Sequence, residues 1–240
     1  NFKKYKMNKF SLIIPCYNEQ KNINEITNKI LFLNKRIKFD TILIDNGSSD
    51  KTREELIKAK NKDIPNLQII LIDSNIGFGN AIKKGIKESK NDLICYTHAD
   101  LQTDLNDVLT AYEIFLNNGA QNLFIKGFRF ERNFLDSIFT SAMTVLISVM
   151  FMSKLVDIHA QPNFFNRKII NNLDFVPDDF SIDIYLLLAA KKASQKLIRF
   201  NVLFNKRLHG IGNNEKFLSK ILHASKIILS SLKIFFSRKF

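Results

Sequence analysis

Four short apolar segments in the first hundred residues each end in a cluster of polar side chains. They are residues 10–17, 40–46, 67–73 and 93–97, and the segments between them carry apolar residues close to helical spacing. Alternating strands and helices are typical of a parallel sheet with helices on both faces. The carboxyl ends of parallel strands share one edge, where open α/β sheets place their ligand chemistry. The polar clusters are Asn18-Glu19, Asp45-Asn46, Asp73-Ser74-Asn75, and His98 with Asp100.

The alternation continues through a fifth predicted strand at residues 122–126 and then stops. Beyond it the patterns predict a helix over 134–155, an irregular segment over 157–167, a helix over 182–192, a strand over 196–204 and a basic amphipathic helix over 215–240. We see no internal repeat and no linker rich in proline or serine. We therefore expect one domain over residues 1–212, with halves 8–126 and 127–212, followed by a C-terminal helix over 213–240.

The formal net charge of +13 is informative about partners more than about fold. It is compatible with nucleic acid, an anionic membrane or a phosphorylated substrate, and a lysine-rich compositional bias explains it equally well. The basic residues are spread along the chain without an aromatic and basic recognition motif, so we expect no nucleic acid partner. A non-catalytic basic module that binds a nucleotide or nucleic acid is the alternative to an enzyme. The two cysteines lie in apolar segments and are expected to be buried thiols.

Residues 134–155 are the strongest candidate for a membrane segment, but their fully apolar portions are short. A span needs about 20 mostly apolar residues, so a helix lying at the membrane surface fits better. The apolar residues 11–16 are too few for a signal peptide core. We expect a cytoplasmic protein, peripheral on the cytoplasmic face of an anionic membrane. An ordinary helix that covers the sheet is an equally good interpretation of the basic tail, and the oligomeric state is left open.

Glycines at 77, 79 and 85 invite comparison with a dinucleotide-binding loop. That fingerprint needs its third glycine at position 82, which is Ile82, and it should follow the first strand instead of the third. We therefore reject a nicotinamide cofactor. Gly77 and Gly79 are expected to allow a close backbone approach, and Gly85 to pack a helix against the sheet.

Asp45 and Asp100 are the two carboxylates that the predicted topology brings to the same edge. Either one alone would be interpreted as a turn residue, but together they suggest a site for a base or ribose and a metal. Mg²⁺ and Mn²⁺ prefer oxygen ligands and commonly combine one or two carboxylates with substrate phosphates. The four histidines show no zinc-binding spacing.

Four ordered motifs carry a family resemblance. Residues 11–19 (SLIIPCYNE), 45–50 (DNGSSD), 75–81 (NIGFGNA) and 99–102 (ADLQ) resemble family 2 glycosyltransferases, most closely the dolichyl-phosphate mannosyltransferase and polyprenyl-phosphate glycosyltransferase branch. The resemblance implies a GT-A fold, with a mostly parallel Rossmann-like sheet and a nucleotide-sugar-binding first half. It also implies an inverting transfer from a nucleotide sugar to a lipid-linked (polyprenyl-phosphate) or glycan acceptor, in synthesis of cell-envelope polysaccharide or glycolipid.

The same resemblance assigns roles to individual residues. Asp100 would be the remaining half of an Asp-x-Asp metal motif, Arg207 would close over the diphosphate, and Asp183 would be a general base for hydroxyl acceptors. Arg129 and Arg132 would contact the acceptor. The implied nucleotide-sugar contacts are Pro15, Tyr17, Asn18, Glu19, Asp45, Gly77, Lys84 and Gln102.

Two positions and one three-residue segment depart from the family pattern. His98 replaces the first carboxylate of the metal motif, and Asn46 replaces the second aspartate of the nucleotide motif. Residues 160–162 (Ala-Gln-Pro) replace Ser-Gly-Phe. His98 either faces a divalent cation (Mg²⁺ or Mn²⁺) or a phosphate, as a partner of Asp100, or is a strand-end residue without a ligand role.

Overall fold

The computed structural model describes residues 9–130, 134–207 and 217–237. The strands are β1 (Phe10–Cys16), β2 (Asp40–Asn46), β3 (Leu67–Ile72), β4 (Leu93–Tyr96), β5 (Leu123–Phe130), β6 (Asn163–Asn166) and β7 (Lys196–Leu203). The helices are α1 (Ile23–Arg36), α2 (Thr52–Ala59), α3 (Phe78–Glu88), α4 (Asn106–Asn117), α5 (Phe134–Met150), α6 (Ile182–Lys192) and α7 (Phe217–Ser237). The predicted elements of the first half are present within a few residues of their expected bounds.

The seven strands form one sheet in the order β3-β2-β1-β4-β6-β5-β7. The pairs β1–β2, β1–β4, β2–β3 and β5–β7 are parallel, whereas β6 is antiparallel to both of its neighbours. This confirms the predicted mostly parallel α/β sheet and places the ends of the first four strands along one edge. β6 lies inside the segment expected to be irregular. Its four residues, NFFN, are too few to show a strand period.

Helices cover both faces of the sheet, as expected. On one face α1, α2 and α4 bury Ile30, Leu56 and Val108 in a core with β1 and β2. On the other face α3, α5, α6 and α7 pack around the remaining side chains of the same strands. Gly85 of α3 makes this packing close, because a Cβ there would lie 2.5 Å from Ile13 Cγ2.

Helix α2 begins without a side-chain cap hydrogen bond at its N-cap residue, Lys51. Thr52 is already within the helix, and its hydroxyl donates to Asp50 Oδ1 and accepts from the Glu19 N–H at 2.7 Å. Tertiary contact with the loop after β1 therefore replaces the local cap. No helix among the described residues combines the length and the hydropathy that crossing a bilayer requires.

Candidate functional site

The loop after β1 is tied to the turn after β2. Asn18 has a φ of 57°, in the left-handed region that asparagine tolerates better than most residues. Its side-chain oxygen accepts from the Ser49 N–H at 2.8 Å, and its own N–H donates to Ser48 Oγ at 3.1 Å. Glu19 follows, anchored through Thr52. The structure thus brings the first two predicted polar clusters together.

Asp45 is completely buried at the end of β2. Its carboxylate accepts from the Ser48 N–H at 3.1 Å and from Arg53 Nε at 2.8 Å. Arg53 also donates to the Ile72 carbonyl and lies 3.6 Å from the exposed Asp73. Sequence reasoning missed Arg53, since a pairing between a strand end and the first turn of the next helix has no periodic signature.

Asn46 holds the glycine turn that precedes α3. Its amide nitrogen donates to the Gly77 carbonyl at 3.3 Å, while its oxygen accepts from the Ile76 N–H at 3.3 Å. An ionised aspartate at this position could accept but not donate, which gives a physical reason for the departure from the family pattern. Gly77 has a φ of 92°, and a Cβ on Gly79 would lie 2.2 Å from the Pro177 carbonyl. The expected close backbone approach is therefore made by the protein itself.

Asp100, Gln102 and Arg207 converge at the end of β4. Arg207 Nη2 lies 3.0 Å from Asp100 Oδ2, and the Gln102 N–H donates to Asp100 Oδ1 at 3.2 Å. Gln102 Oε1 accepts from Arg207 Nε at 3.3 Å, and its Nε2 donates to the Asn205 carbonyl at 3.1 Å. Gln102 thus connects the strand end to the loop that carries Arg207, across a sequence separation of about a hundred residues.

Glu19 and His98 flank this group. Burial, together with the nearby Asp100, raises the pKa of Glu19 to about 7 despite the lowering effects of a hydrogen bond from Asn22 and of Arg207. His98 packs against the stacked rings of Phe78 and Phe180, with ring centroids 4.9 Å from Phe78 and 6.0 Å from Phe180. Burial lowers the pKa of His98, partly offset by Asp100. Its imidazole is therefore favoured in the neutral form.

The residues present fit a divalent cation held jointly with a substrate. Within the described ranges, no three His, Cys, Asp or Glu side chains lie close enough to hold a metal by themselves. Asp100 offers one carboxylate and Gln102 one amide oxygen, and Mg²⁺ commonly combines one or two carboxylates with substrate phosphates. The His98 part of the predicted ligand set stays a prediction.

Asp183, expected to be a general base, is completely buried at the start of α6. Its carboxylate accepts from the Tyr96 hydroxyl, lies 3.0 Å from His159 Nδ1 and lies 3.8 Å from Lys126 Nζ. Burial favours the protonated acid, but Lys126, His159 and Tyr96 outweigh it and lower the pKa of Asp183 to about 2. The carboxylate is engaged by these buried partners, which sequence reasoning missed, and the general-base role of Asp183 stays a prediction.

Arg129, expected to contact the acceptor, forms an ion pair with Asp157. The Arg129 guanidinium binds the Asp157 carboxylate, and the backbone N–H of Arg129 donates to Asp157 Oδ2 at 2.8 Å. The guanidinium carbon lies 5.1 Å from the ring centroid of Phe204. The ion pair is almost completely buried. Arg132 lies outside the described residues.

Three further residues predicted to contact the nucleotide sugar, Tyr17, Pro15 and Lys84, differ in their exposure to solvent. Tyr17 is 37% exposed beside the site, whereas Pro15 is buried within β1. Lys84 is exposed in the second turn of α3. At 1.5 Å per residue it lies about 9 Å along the axis from the start of the helix at Phe78.

The sequence model of glycosyl transferase family 2 matches residues 11–173 of the chain. The chain belongs to glycosyl transferase family 2. The match covers β1 to β4, with Asp45, Asp100 and Gln102, and extends through β6.

Two bacterial relatives are undecaprenyl-phosphate 4-deoxy-4-formamido-L-arabinose transferases. The one from Photorhabdus laumondii is 31% identical over 144 residues, which cover 59% of this chain and 43% of the relative. The one from Proteus mirabilis is 28% identical over 147 residues, covering 60% of this chain and 44% of the relative. The chain thus aligns with less than half the length of these relatives.

A solved structure with the same fold is glucosyl-3-phosphoglycerate synthase from Mycobacterium tuberculosis in complex with Mn²⁺, UDP and glucosyl-3-phosphoglycerate. It superposes with a TM-score of 0.70 at 14% identity, over 94% of this chain and 79% of the synthase. The complex of that enzyme with Mg²⁺ and UDP gives the same TM-score at 13% identity. At this identity the similarity establishes the GT-A fold alone.

Proposed function

We propose that the protein transfers a sugar, with inversion, from a nucleotide-sugar donor to a polyprenyl-phosphate acceptor. The observation that carries the proposal is the convergence of Glu19, Asp45, Asp100 and Arg207 at one edge of the sheet. The names of the two bacterial transferases favour a polyprenyl phosphate over a free glycan as the acceptor. A role in cell-envelope polysaccharide or glycolipid synthesis follows from that acceptor.

The proposed chemistry assigns a separate task to each side chain. Asp45 and the loop at Asn18 and Glu19 bind the nucleoside, and Arg207 neutralises charge that develops on the departing diphosphate. A divalent cation held by Asp100 and Gln102 would supply further positive charge to the same diphosphate. The acceptor oxygen attacks the anomeric carbon on the face opposite the diphosphate, which inverts the configuration.

A phosphate acceptor also agrees with the environment of Asp183. A phosphate monoester is already anionic near neutral pH, so its attack needs positioning and not deprotonation. The buried Asp183 then positions its neighbours His159 and Lys126, which replaces the role expected for hydroxyl acceptors.

Helices α5 and α7 present the surface that we assign to membrane contact, called here the α5–α7 surface. Phe151, just after α5, packs on Phe235 of α7 with ring centroids 5.8 Å apart. Exposed apolar side chains and exposed lysines share the two helices and the residues after α5. They are Val145, Leu146, Val149, Met152, Leu229 and Phe236, with Lys154, Lys226 and Lys233. Apolar groups flanked by lysines suit an anionic bilayer, and we propose peripheral attachment at the cytoplasmic face.

The donor site is tested by thermal shift with UDP-, GDP-, CDP- and dTDP-sugars in the presence of Mn²⁺. One donor class should raise the melting temperature of the wild type, and Asp100→Asn should lose most of that shift. Asp92→Asn is the matched control, because Asp92 is an exposed aspartate that precedes β4 at the opposite edge of the sheet. An equal shift in wild type and Asp100→Asn would refute the assigned donor site.

Membrane contact is tested by flotation with anionic liposomes. Val149→Asp combined with Leu229→Asp should release the protein from the vesicles, since both side chains are more than half exposed. Phe32→Asp is the control, because Phe32 is 55% exposed on α1 at the opposite face of the sheet. Unchanged flotation of the double variant would contradict the assignment of this surface.

A further inference from the structure

Arg207 contacts the same two side-chain oxygens that a divalent cation would use. Its Nη2 donates to Asp100 Oδ2 at 3.0 Å, and its Nε donates to Gln102 Oε1 at 3.3 Å. The two nitrogens belong to one edge of the planar guanidinium, so a single side chain bridges both oxygens. Asp100 and Gln102 are the residues to which the proposed function assigns the cation. In this conformation the guanidinium and a divalent cation therefore exclude each other.

The exclusion is steric as well as electrostatic. Mg²⁺ binds oxygen at about 2.1 Å, closer than either guanidinium nitrogen lies to its acceptor. A guanidinium that stayed on both oxygens would hold a like charge in direct contact with the metal. The Asp100 side chain is only 10% exposed, so salt and water screen this repulsion weakly. Arg207 must therefore leave both oxygens before a cation can bind there.

The backbone beside Arg207 is held independently of the guanidinium. The Asn205 N–H donates to the Gln102 carbonyl at 2.8 Å, and the Asn205 carbonyl accepts from Gln102 Nε2 at 3.1 Å. The second bond also fixes the orientation of the Gln102 amide, so that its oxygen stays available to a cation. The Arg207 side chain is 32% exposed, which leaves it room to rotate. Arg207 can thus release both oxygens by side-chain rotation while the backbone stays beside the site.

A diphosphate supplies the partner that the released guanidinium needs. Arginine matches phosphate oxygens in the same paired geometry that it uses for a carboxylate. A cation that binds alone must break the contacts of Arg207 with Asp100 and Gln102 without replacing them. A cation that binds together with a diphosphate lets Arg207 exchange one set of charged hydrogen bonds for another. The two ligands should therefore favour each other's binding.

We propose that Arg207 is a built-in counter-ion of the cation site, which gives way to the metal when the donor binds. The inference rests on the proposed function and adds an order of events to it. In the free protein Arg207 neutralises Asp100. When the donor binds, Arg207 gives up Asp100 and Gln102 and transfers its hydrogen bonds to the diphosphate. The metal alone is held weakly, and a nucleoside diphosphate strengthens its binding.

The reactivity of arginine side chains towards phenylglyoxal, measured for each residue by mass spectrometry, tests the exchange in the full chain. Saturating Mn²⁺ should raise the rate at Arg207 by about threefold, because full exposure is about three times the 32% found here. Adding the nucleoside diphosphate that binds, out of UDP, GDP, CDP and dTDP, should lower that rate again. Arg36, exposed at the end of α1, is the internal reference and should not change.

The affinity for Mn²⁺, obtained from the electron paramagnetic resonance signal of the free ion, is the second measurement. Arg207→Met removes the competing guanidinium and adds no metal-binding oxygen. It should bind Mn²⁺ alone about fivefold more tightly than the wild type, as expected when a partly exposed, charged hydrogen-bonded pair no longer has to be broken. Lys206→Met is the matched control, because Lys206 is an exposed cation at the adjacent position. It should change the affinity by less than about twofold.

An Arg207 reactivity that Mn²⁺ leaves unchanged would overturn the proposal, as would equal Mn²⁺ affinity of the wild type and Arg207→Met. An equal gain from Arg207→Met and Lys206→Met would also overturn it, because long-range repulsion alone would then explain both. If Arg207→Met does not unfold cooperatively, the reactivity of the wild type decides the outcome. Exchange at Arg207 without sugar transfer to any acceptor would refute the proposed function and leave the counter-ion standing. Transfer to a polyprenyl phosphate without the exchange would do the reverse.

Discussion

Replacement of Asp183 by asparagine tests the buried network beneath the site. The substitution keeps the size of the side chain and removes the charge that faces Lys126, which has no exposed surface. The carboxylate also accepts from the Tyr96 hydroxyl and contacts His159. We expect a large loss of stability, because breaking a buried pair by removing one partner leaves an uncompensated charge.

The size of the stability loss in Asp183→Asn follows from the lowered pKa of Asp183. The pKa of Asp183 is lowered to about 2, about two units below an ordinary aspartate, and each unit corresponds to about 1.4 kcal/mol. The ionised form therefore contributes about 3 kcal/mol to the free energy of unfolding at neutral pH. An asparagine also loses one of the accepted hydrogen bonds, worth about 1 kcal/mol. The expected total is about 3 to 4 kcal/mol.

The sign of the pH dependence follows from the depressed pKa. The contribution of Asp183 is fully present above about pH 4, the ordinary aspartate value, and is lost as the pH falls through about 2. The difference between wild type and Asp183→Asn should accordingly be smaller at pH 3 than at pH 7.

Urea unfolding at the two pH values measures this difference. Asp178→Asn is the control, because Asp178 is an exposed aspartate five residues earlier whose side chain pairs with Lys83 at the surface. We expect that control to change the free energy of unfolding by less than about 1 kcal/mol. If Asp183→Asn lies as close to the wild type as Asp178→Asn does, the assignment of Asp183 as the charged centre of a buried network is wrong.

Three further substitutions test the donor side of the sheet. Arg53→Gln should lower the midpoint of urea unfolding, because the completely buried Asp45 loses its charged partner; an unchanged unfolding midpoint would contradict this. Gly79→Ala should cost about 1 to 3 kcal/mol in the same measurement, since its Cβ would overlap the Pro177 carbonyl, and a neutral effect would show that the turn is not tightly packed. Burial raises the pKa of Glu19 to about 7, so the folded protein favours the protonated acid and loses stability as the pH rises from about 4 through 7. The melting temperature of Glu19→Gln should therefore exceed that of the wild type by more at pH 8 than at pH 5. An equal difference at the two pH values would contradict a Glu19 pKa of about 7.

The first half of the fold could be predicted because its signals are local. Apolar segments that end in polar clusters mark the strands, and parallel pairing brings those clusters to one edge regardless of the details of packing. The convergence of Asp45 and Asp100 at that edge required no knowledge of tertiary contacts. The prediction for Gly85 succeeded for a similar reason, since a glycine within an apolar helix face indicates close packing.

The second half could not be predicted to the same extent, because its structure depends on contacts between distant segments. β6 is recognisable only once β4 and β5 flank it. The buried Lys126 has the sequence appearance of an exposed strand residue, and its partners lie more than thirty residues away. Asn46 could be compared with the aspartate of the family, but its function in holding the turn at Gly77 depends on donor and acceptor geometry.

Transfer of a labelled sugar to undecaprenyl phosphate is the most direct test of the central claim. The assay uses the nucleotide sugar that stabilises the protein, with Mn²⁺, and compares wild type, Asp100→Asn and Asp92→Asn. We expect lipid-linked product with the wild type and with Asp92→Asn. Asp100→Asn should lower the transfer rate by about a hundredfold or more, which is the effect typical of removing a group that stabilises charge in the transition state. Product formation by Asp100→Asn at the rate of the wild type, or no lipid-linked product from the wild type with any donor, would contradict the account.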